Sequence, residues 1–127
     1  MNQGVTYLDS ESRIIYANPA AEQILGLSFD QMRGLSSMDP MWKAIHEDGT
    51  DFPGNTHPSK IALKSGKPNY NVKMGVFNPS KKDYTWININ AFPRFRDNET
   101  TPFQVVTTFQ DITEVLNATH ELIRAKE

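Results

Sequence analysis

The side chains of this chain that are best suited to chemistry are three histidines and several carboxylates. His46, His57 and His120 lie far apart, without His-x-His or His-x-x-x-His spacing, and the sequence contains no cysteine. A zinc site needs several nitrogen or sulfur ligands at short spacing, and disulfides, thiol catalysis and iron–sulfur clusters need cysteine. The sequence therefore predicts no metal site and no cysteine-based chemistry.

One acid–base pair remains open as a catalytic arrangement. Asp39 and His46 could act together, as an Asp–His pair does in small α+β cone-fold isomerases and dehydratases. Asp39 precedes Pro40, however, where an aspartate commonly caps a helix. The sequence has no nucleophile elbow, phosphate loop or His-Glu-x-x-His motif. We expect no catalytic residues and no enzymatic activity, with the cone-fold enzyme kept as an alternative class.

Size and charge narrow the class of protein further. The 127 residues predict one domain. A net charge of -2 argues against nucleic acid as a partner, because binding phosphates needs a basic face. No apolar run approaches the 18 or so residues that span a bilayer, and no signal segment opens the chain. We expect a cytoplasmic location, without direct membrane contact, for a piece excised from a longer protein.

The first third of the chain has the pattern of a hairpin followed by short helices. Two β-rich runs at residues 5–8 and 13–17 flank a polar turn. Asn18 and Pro19 then predict a helix start and Gly26 its end. Ser28 and Gln31 form a capping box for a second helix. A third helix is predicted from Asp39 and Pro40 onward, carrying Met41, Trp42 and Ile45.

The remainder predicts one helix and three longer strands. The helix covers residues 58–65, and the strands cover residues 70–77, 84–92 and 103–110. In the second of these strands Ile87, Ile89 and Ala91 alternate with polar residues, so they share one face. Pro93 is expected to end the regular pairing of that strand. The pattern does not fix which face of residues 70–77 points inward.

A helical pattern follows the last strand and runs to the end of the chain. Asp111, Ile112 and Thr113 form the junction, and Ile112, Val115, Thr119 and Leu122 then recur at spacings of three and four. This seam is of the coiled-coil type but is too short to establish a coiled coil. The alternative is a helix that packs back on its own sheet.

Several segments together resemble the PAS sensory domain, from Gly4 to Glu114. They lie in the order and at the spacing that this family uses. The segments are Gly-Val-Thr-Tyr-Leu-Asp at 4–9, Ile-Ile-Tyr-Ala-Asn-Pro-Ala-Ala-Glu at 14–22, Ile-Leu-Gly-Leu-Ser at 24–28, Glu-Asp-Gly-Thr at 47–50, Ser-Gly-Lys-Pro at 65–68, Thr-Trp-Ile at 85–87, Ala-Phe-Pro at 91–93 and Asp-Ile-Thr at 111–113.

The resemblance implies an α+β fold with a single antiparallel sheet of about five strands, short helices over one face and a C-terminal exit helix. Residues 1–114 would form the PAS sensory domain, and residues 115–127 would begin a linker or signalling helix. The implied ligand pocket is lined by Ile87, Ile89, Ala91, Val105, Phe109 and Trp42. Trp86 and Val106 would lie on the outer sheet face, which a flanking helix or a second subunit covers.

The resemblance also bears on cofactors. Haem-binding PAS domains use an axial histidine on the helix that begins here near His57, but we expect His57 to cap the backbone or to face solvent. Flavin-binding PAS domains use a cysteine and amide side chains, whereas this chain has no cysteine and has Ile87 and Phe109 at inward positions. Because buried ring amides would go unpaired in such a pocket, we expect neither flavin nor haem.

The function implied is that of a sensory and dimerisation module. A small ligand or a partner domain would bias the helix that starts at Asp111 and so control an output domain, such as a two-component histidine kinase or a cyclic-dinucleotide enzyme. By the same resemblance, Asp111 pairs with a basic group, for which Arg13 is one candidate, and Thr113 caps the helix. A protein-interaction module without a small ligand is the alternative.

Overall fold

The computed structural model describes residues 3–36 and 42–125, with the backbone alone for residues 120–125. Its centre is one five-stranded sheet in the order β2-β1-β5-β4-β3, with every neighbouring pair antiparallel. This confirms the predicted sheet. The strands are β1 (Gly4–Asp9), β2 (Ile14–Ala17), β3 (Asn69–Asn78), β4 (Asp83–Arg94) and β5 (Gln104–Asp111).

Short helices cover one face of the sheet, and a longer helix follows its last strand. The helices are α1 (Pro19–Leu25), α2 (Phe29–Met32), α3 (Pro58–Ser65) and α4 (Thr113–Ala125), with a 3-10 turn at Gly54–Thr56. The capping residues act as their types predict. The Asn18 side chain accepts a hydrogen bond from the N–H of Ala21, and Ser28 and Gln31 form the predicted capping box.

The predicted third helix does not continue to Ile45: Trp42 is in 3-10 conformation and residues 43–45 are not helical. Its start at Asp39 and Pro40 lies outside the described residues, as does the Asp39 side of the proposed acid–base pair. Ile45 is extended: its N–H donates to the carbonyl of Gly75 at 2.8 Å, and Gly75 returns the bond at 2.9 Å. The prediction for Ile45 was wrong because its main chain pairs with β3, an interaction that local sequence does not specify.

Strand β4 is also longer than predicted. Pro93 does not end it, since Pro93 pairs with Val105 and Arg94 with Gln104. The β3–β4 pairing ends at Asn69 and Ala91, so Pro93 lies beyond the end of β3. A proline without an N–H is tolerated where no neighbouring strand needs that donor.

The alternation of β4 divides the sheet into two faces as predicted. Ile87, Ile89 and Ala91 are buried toward the helices, whereas Trp86 is only partly buried on the outer face. The register of β3, which the sequence left open, pairs Met74 with Ile87. Met74 is therefore an inward residue, and it is buried with 6% of its surface exposed.

Gly26 offers a direct test of how α1 is joined to the sheet. It ends the helix at φ 72°, and an added Cβ would lie 1.9 Å from Oδ1 of Asn78. We expect Gly26→Ala to lower the free energy of unfolding by about 3 kcal/mol, from left-handed strain and a backbone shift. Gly34 is the matched control, because its φ is 82° but its added Cβ meets nothing within 4 Å. Urea denaturation should give a clearly smaller loss for Gly34→Ala; equal losses would contradict the packing argument.

Candidate functional site

A small cavity lies between the inner face of the sheet and the helices. Its volume is about 70 Å³, and thirteen side chains of the described residues line it, nine of them apolar and four polar. One water-sized group needs roughly 10–15 Å³. The cavity therefore has room for a molecule of about five non-hydrogen atoms.

Four of the six predicted pocket residues line this cavity. Ile87, Ile89 and Phe109 reach it from the two central strands, and Trp42 closes it from the loop side. The indole Nε1 of Trp42 donates to the carbonyl of Ser36 at 2.8 Å, which fixes the plane of the ring. The inward face of β4 and β5 is thus also the wall of the cavity.

The other two predicted pocket residues do not line the cavity. Ala91 and Val105 are inward, but they form a separate cluster with Ala62 and the partly buried Leu63. Helix α3 packs directly on them. The alternation of a strand predicts its inward face, but not which part of that face a helix covers.

Four polar side chains form part of the cavity wall, and all were missed by sequence reasoning. Thr6 and Thr107 lie opposite each other on β1 and β5 and share a hydrogen bond between their hydroxyl groups. His57 and Ser59 come from the start of α3. Thr107 could have been found, because it alternates with the inward residues Val105 and Phe109.

The prediction that His57 caps the backbone or faces solvent was wrong. Only 6% of its surface is exposed, and its side chain makes no cap hydrogen bond to α3. Its Nε2 lies 2.9 Å from the carbonyl oxygen of Phe52. Since a carbonyl can only accept, the proton is on Nε2. Burial lowers the pKa of His57, so the ring is neutral at pH 7.

No metal centre is formed by the described part of the chain. Among the side chains described, those of residues 3–36 and 42–119, no group of three or more His, Asp or Glu is placed to hold an ion. The ring of His46 stacks on that of Phe52 with centroids 4.1 Å apart, and Phe52 meets His57 edge-on. His46 and His57 are thus joined through an aromatic ring rather than arranged around a common point.

The junction between β5 and α4 is a compact set of hydrogen bonds to one residue of β4. The N–H of Ile112 donates to the carbonyl of Trp86 at 2.8 Å, and the N–H of Trp86 donates to Oγ1 of Thr113 at 2.9 Å. The hydroxyl of Thr113 in turn donates to Oδ1 of Asp111 at 2.6 Å. The Thr113 side chain thus replaces a main-chain acceptor at the point where the strand becomes a helix.

The roles within this junction differ from those the resemblance implied. The first helical bond runs from Leu116 N–H to the carbonyl of Ile112, so Ile112 is the N-cap residue. Asp111, rather than Thr113, satisfies a free helix donor, because its carboxylate accepts from the N–H of Thr113 at 2.9 Å. Thr113 instead ties the helix to β4.

Arg13 is not the partner of Asp111. Its guanidinium lies 3.1 Å from Asp9 and 3.0 Å from Glu11, within the turn between β1 and β2. Asp9 also accepts the main-chain N–H groups of Glu11 and Arg13. These local bonds hold Arg13 in its own turn, which is why the prediction was wrong.

The outer face of the sheet carries partly exposed aromatic residues. Trp86 and Val106, the two predicted surface residues, are each partly buried. Tyr70 packs edge-on against Phe92 with centroids 5.5 Å apart, yet 57% of Tyr70 is exposed. Among the described residues, no helix packs across this face as α1 and α3 do on the inner face. Helix α4 contacts β4.

The fold and its cavity together define a class of protein: a small α+β domain with a cavity between its sheet and its helices and a further helix after its last strand. The sequence profile of the PAS domain matches residues 2–114. The chain belongs to the PAS domain family, and it is a sensory domain of signal transduction. PAS domains are sensory modules and generally not catalytic.

Three solved structures illustrate the shared fold. The PAS domain of a protein from Colwellia psychrerythraea is 18% identical with a TM-score of 0.66, over 90% of this chain and 89% of that one. A sensory box histidine kinase/response regulator from Burkholderia thailandensis E264 is 16% identical with a TM-score of 0.67, over 98% of this chain and 88% of that one. A domain of a putative light and redox sensing histidine kinase from Haloarcula marismortui is 21% identical with a TM-score of 0.62, over 87% of this chain and 90% of that one.

At these identities the three structures support the fold alone. No curated protein matches the sequence. In the part of the chain that the structure describes, no helix is both long and apolar enough to cross a membrane.

The buried neutral ring of His57 predicts a pH dependence of stability. Its pKa lies below the ordinary value of 6.5, so the unfolded chain binds more protons than the folded one as the pH falls through that value. Above about pH 6.5 the neutral ring has no effect on the free energy of unfolding. Below that pH the free energy of unfolding falls, because the unfolded chain takes up a proton that the folded chain does not. We expect thermal unfolding to show a larger fall in Tm from pH 7.5 to 5.5 for the unmodified chain than for His57→Gln. Equal falls in Tm for the two proteins would show that His57 does not contribute to the pH dependence of stability.

Proposed function

We propose that this PAS domain senses a small ligand or a partner domain and transmits the signal through α4 to an output domain. The observation that carries this proposal is the double role of β4. Ile87 lines the cavity, and the adjacent Trp86 holds the start of α4 through both its N–H and its carbonyl. A shift of this strand would therefore move the start of α4 directly.

The neighbouring strand supports the same route. Phe109 of β5 lines the cavity, and Asp111, two residues later, bonds to Thr113 at the beginning of α4. The path from cavity to helix is thus covalent along β5 and hydrogen-bonded from β4. Losing a helix cap costs about 1 kcal/mol, which is small against total stability but comparable to the energy that separates two signalling states.

The output domain in this proposal is a histidine kinase or a cyclic-dinucleotide enzyme in the same chain. Two structures of similar fold come from histidine kinases, which supports the first choice. We propose a cytoplasmic location, with no nucleic-acid partner. The cavity is small and mostly apolar, which supports a function without haem or flavin.

The second part of the proposal is a homodimer. The partly exposed Trp86 and Val106 on the outer face favour an interface there, because apolar surface of this kind is commonly covered by a partner. Val115, the second position of the predicted seam, is 67% exposed and favours a second contact along α4. A module that works through protein contacts alone, without a ligand, rests on these same surfaces.

The transmission route can be tested by fusing the chain to the catalytic core of a histidine kinase. A series of linkers, each one residue longer over one heptad, identifies the phase that gives regulated autophosphorylation. In that fusion we expect Thr113→Val and Asp111→Ala to abolish regulation while lowering the free energy of unfolding by only about 1 kcal/mol.

Thr113→Ser is the control, because it keeps the hydroxyl that joins Trp86 to Asp111. It should retain regulation. If Thr113→Val remains regulated and stable, the hydroxyl bridge does not transmit the signal. If all three variants unfold early, the junction is structural.

The dimer can be tested by reversing the polarity of one side chain on each surface. We expect Val106→Glu to convert the dimer into a monomer in light scattering at high protein concentration, since a buried unpaired charge opposes association. Val115→Glu, on α4, is the matched variant and should weaken the dimer less. A dimer that survives Val106→Glu with its Tm unchanged would exclude the outer face as the interface.

A further inference from the structure

We infer that the cavity takes an uncharged molecule of about five non-hydrogen atoms with an apolar chain and one terminal oxygen, of the short-chain alcohol or ketone class. This inference rests on the proposed sensory function and names the ligand class of that same cavity. It starts from the hydroxyl of Ser59, which lines the cavity while only 7% of the residue is exposed.

Among the described residues the Ser59 hydroxyl makes no hydrogen bond, and its oxygen is not fully buried, so it is open to a molecule in the cavity. A hydroxyl carries one donor and two acceptor positions, and here all three are available to a molecule in the cavity. A polar side chain in this setting is better satisfied by a bound oxygen than by the surrounding apolar wall. The α3 start adds donors nearby, because His57 gives no side-chain cap to the first turn.

The threonine pair adds a second polar group. The hydroxyl groups of Thr6 and Thr107 bond to each other, and only one of their two protons can lie in that bond. The second proton has no side-chain acceptor among the described residues. Thr6 and Thr107 are 4% and 3% exposed and line the same cavity as Ser59. The ligand atom that suits this wall is an oxygen that can accept a hydrogen bond.

The charge of the ligand follows from what surrounds it. No Lys, Arg, Asp or Glu side chain is among the described residues that line the cavity, and the His57 proton is held by the carbonyl of Phe52. A buried carboxylate would therefore have no cationic partner, and a buried ammonium no anionic one. The nine apolar side chains instead suit a short hydrocarbon chain.

The test compares three probes of similar size by NMR titration: butan-1-ol, 1-chlorobutane and butyrate. We expect butan-1-ol to shift the methyl signals of Ile87 and Ile89, with a dissociation constant on the order of 1 mM. 1-Chlorobutane should bind several-fold more weakly and butyrate at pH 7 not measurably. Butyrate binding as tightly as the alcohol, or no binding of the alcohol, would overturn the inference.

Two serine variants distinguish the contribution of the Ser59 hydroxyl to binding from that of the rest of the cavity. We expect Ser59→Ala to weaken butan-1-ol binding roughly three- to tenfold and to leave 1-chlorobutane unchanged. Ser65→Ala is the matched control on the same helix, because Ser65 is exposed and bonds to Lys67. Equal alcohol binding by Ser59→Ala and Ser65→Ala would contradict the role given to Ser59.

A second readout keeps this inference distinct from the proposed function. Amide hydrogen exchange of Ile112 and Thr113 is measured with and without saturating butan-1-ol. Binding that changes exchange at the junction supports both proposals. Binding without such a change supports the ligand class and contradicts transmission from the cavity. Absence of binding, together with a regulated kinase fusion, overturns the ligand class alone.

Discussion

The register of β4 between β3 and β5 is the constraint on which the rest of the structure depends. In this register Ile87 and Ile89 point toward the helices, while the main chain of Trp86 is left to hold Ile112 and Thr113. A slip of one residue would turn the cavity wall toward the outside and break the helix start at once. Cavity and exit helix are thus positioned by the same hydrogen-bond ladder.

The helices are held over this sheet by two buried or partly buried asparagines. The Oδ1 of Asn18 accepts from both Val5 and Ala21, which joins the start of α1 to β1. Asn78, at the end of β3, donates to the carbonyl of Ile24 at 3.2 Å, which joins the end of α1 to the opposite side of the sheet. Because α1 is anchored at both ends, its apolar face covers the core without filling the space beneath it.

The wall of the cavity combines apolar and polar side chains. Apolar side chains supply most of the wall, and the hydroxyl groups of Thr6, Thr107 and Ser59 interrupt it. Hydroxyl groups inside a protein destabilise it unless they are paired. The hydroxyl groups of Thr6 and Thr107 meet this requirement by bonding to each other, whereas that of Ser59 makes no such bond among the described residues.

The sequence by itself determined the features that depend on neighbours along the chain. The alternation of β4 assigned its two faces, and Asn18, Ser28 and Gly26 marked helix ends through local hydrogen bonds and backbone geometry. Only the tertiary structure decided which inward residues meet a cavity and which meet α3, the register of β3, and the burial of His57. These features depend on contacts between residues distant in sequence, and a period of two or 3.6 residues contains no information about such partners.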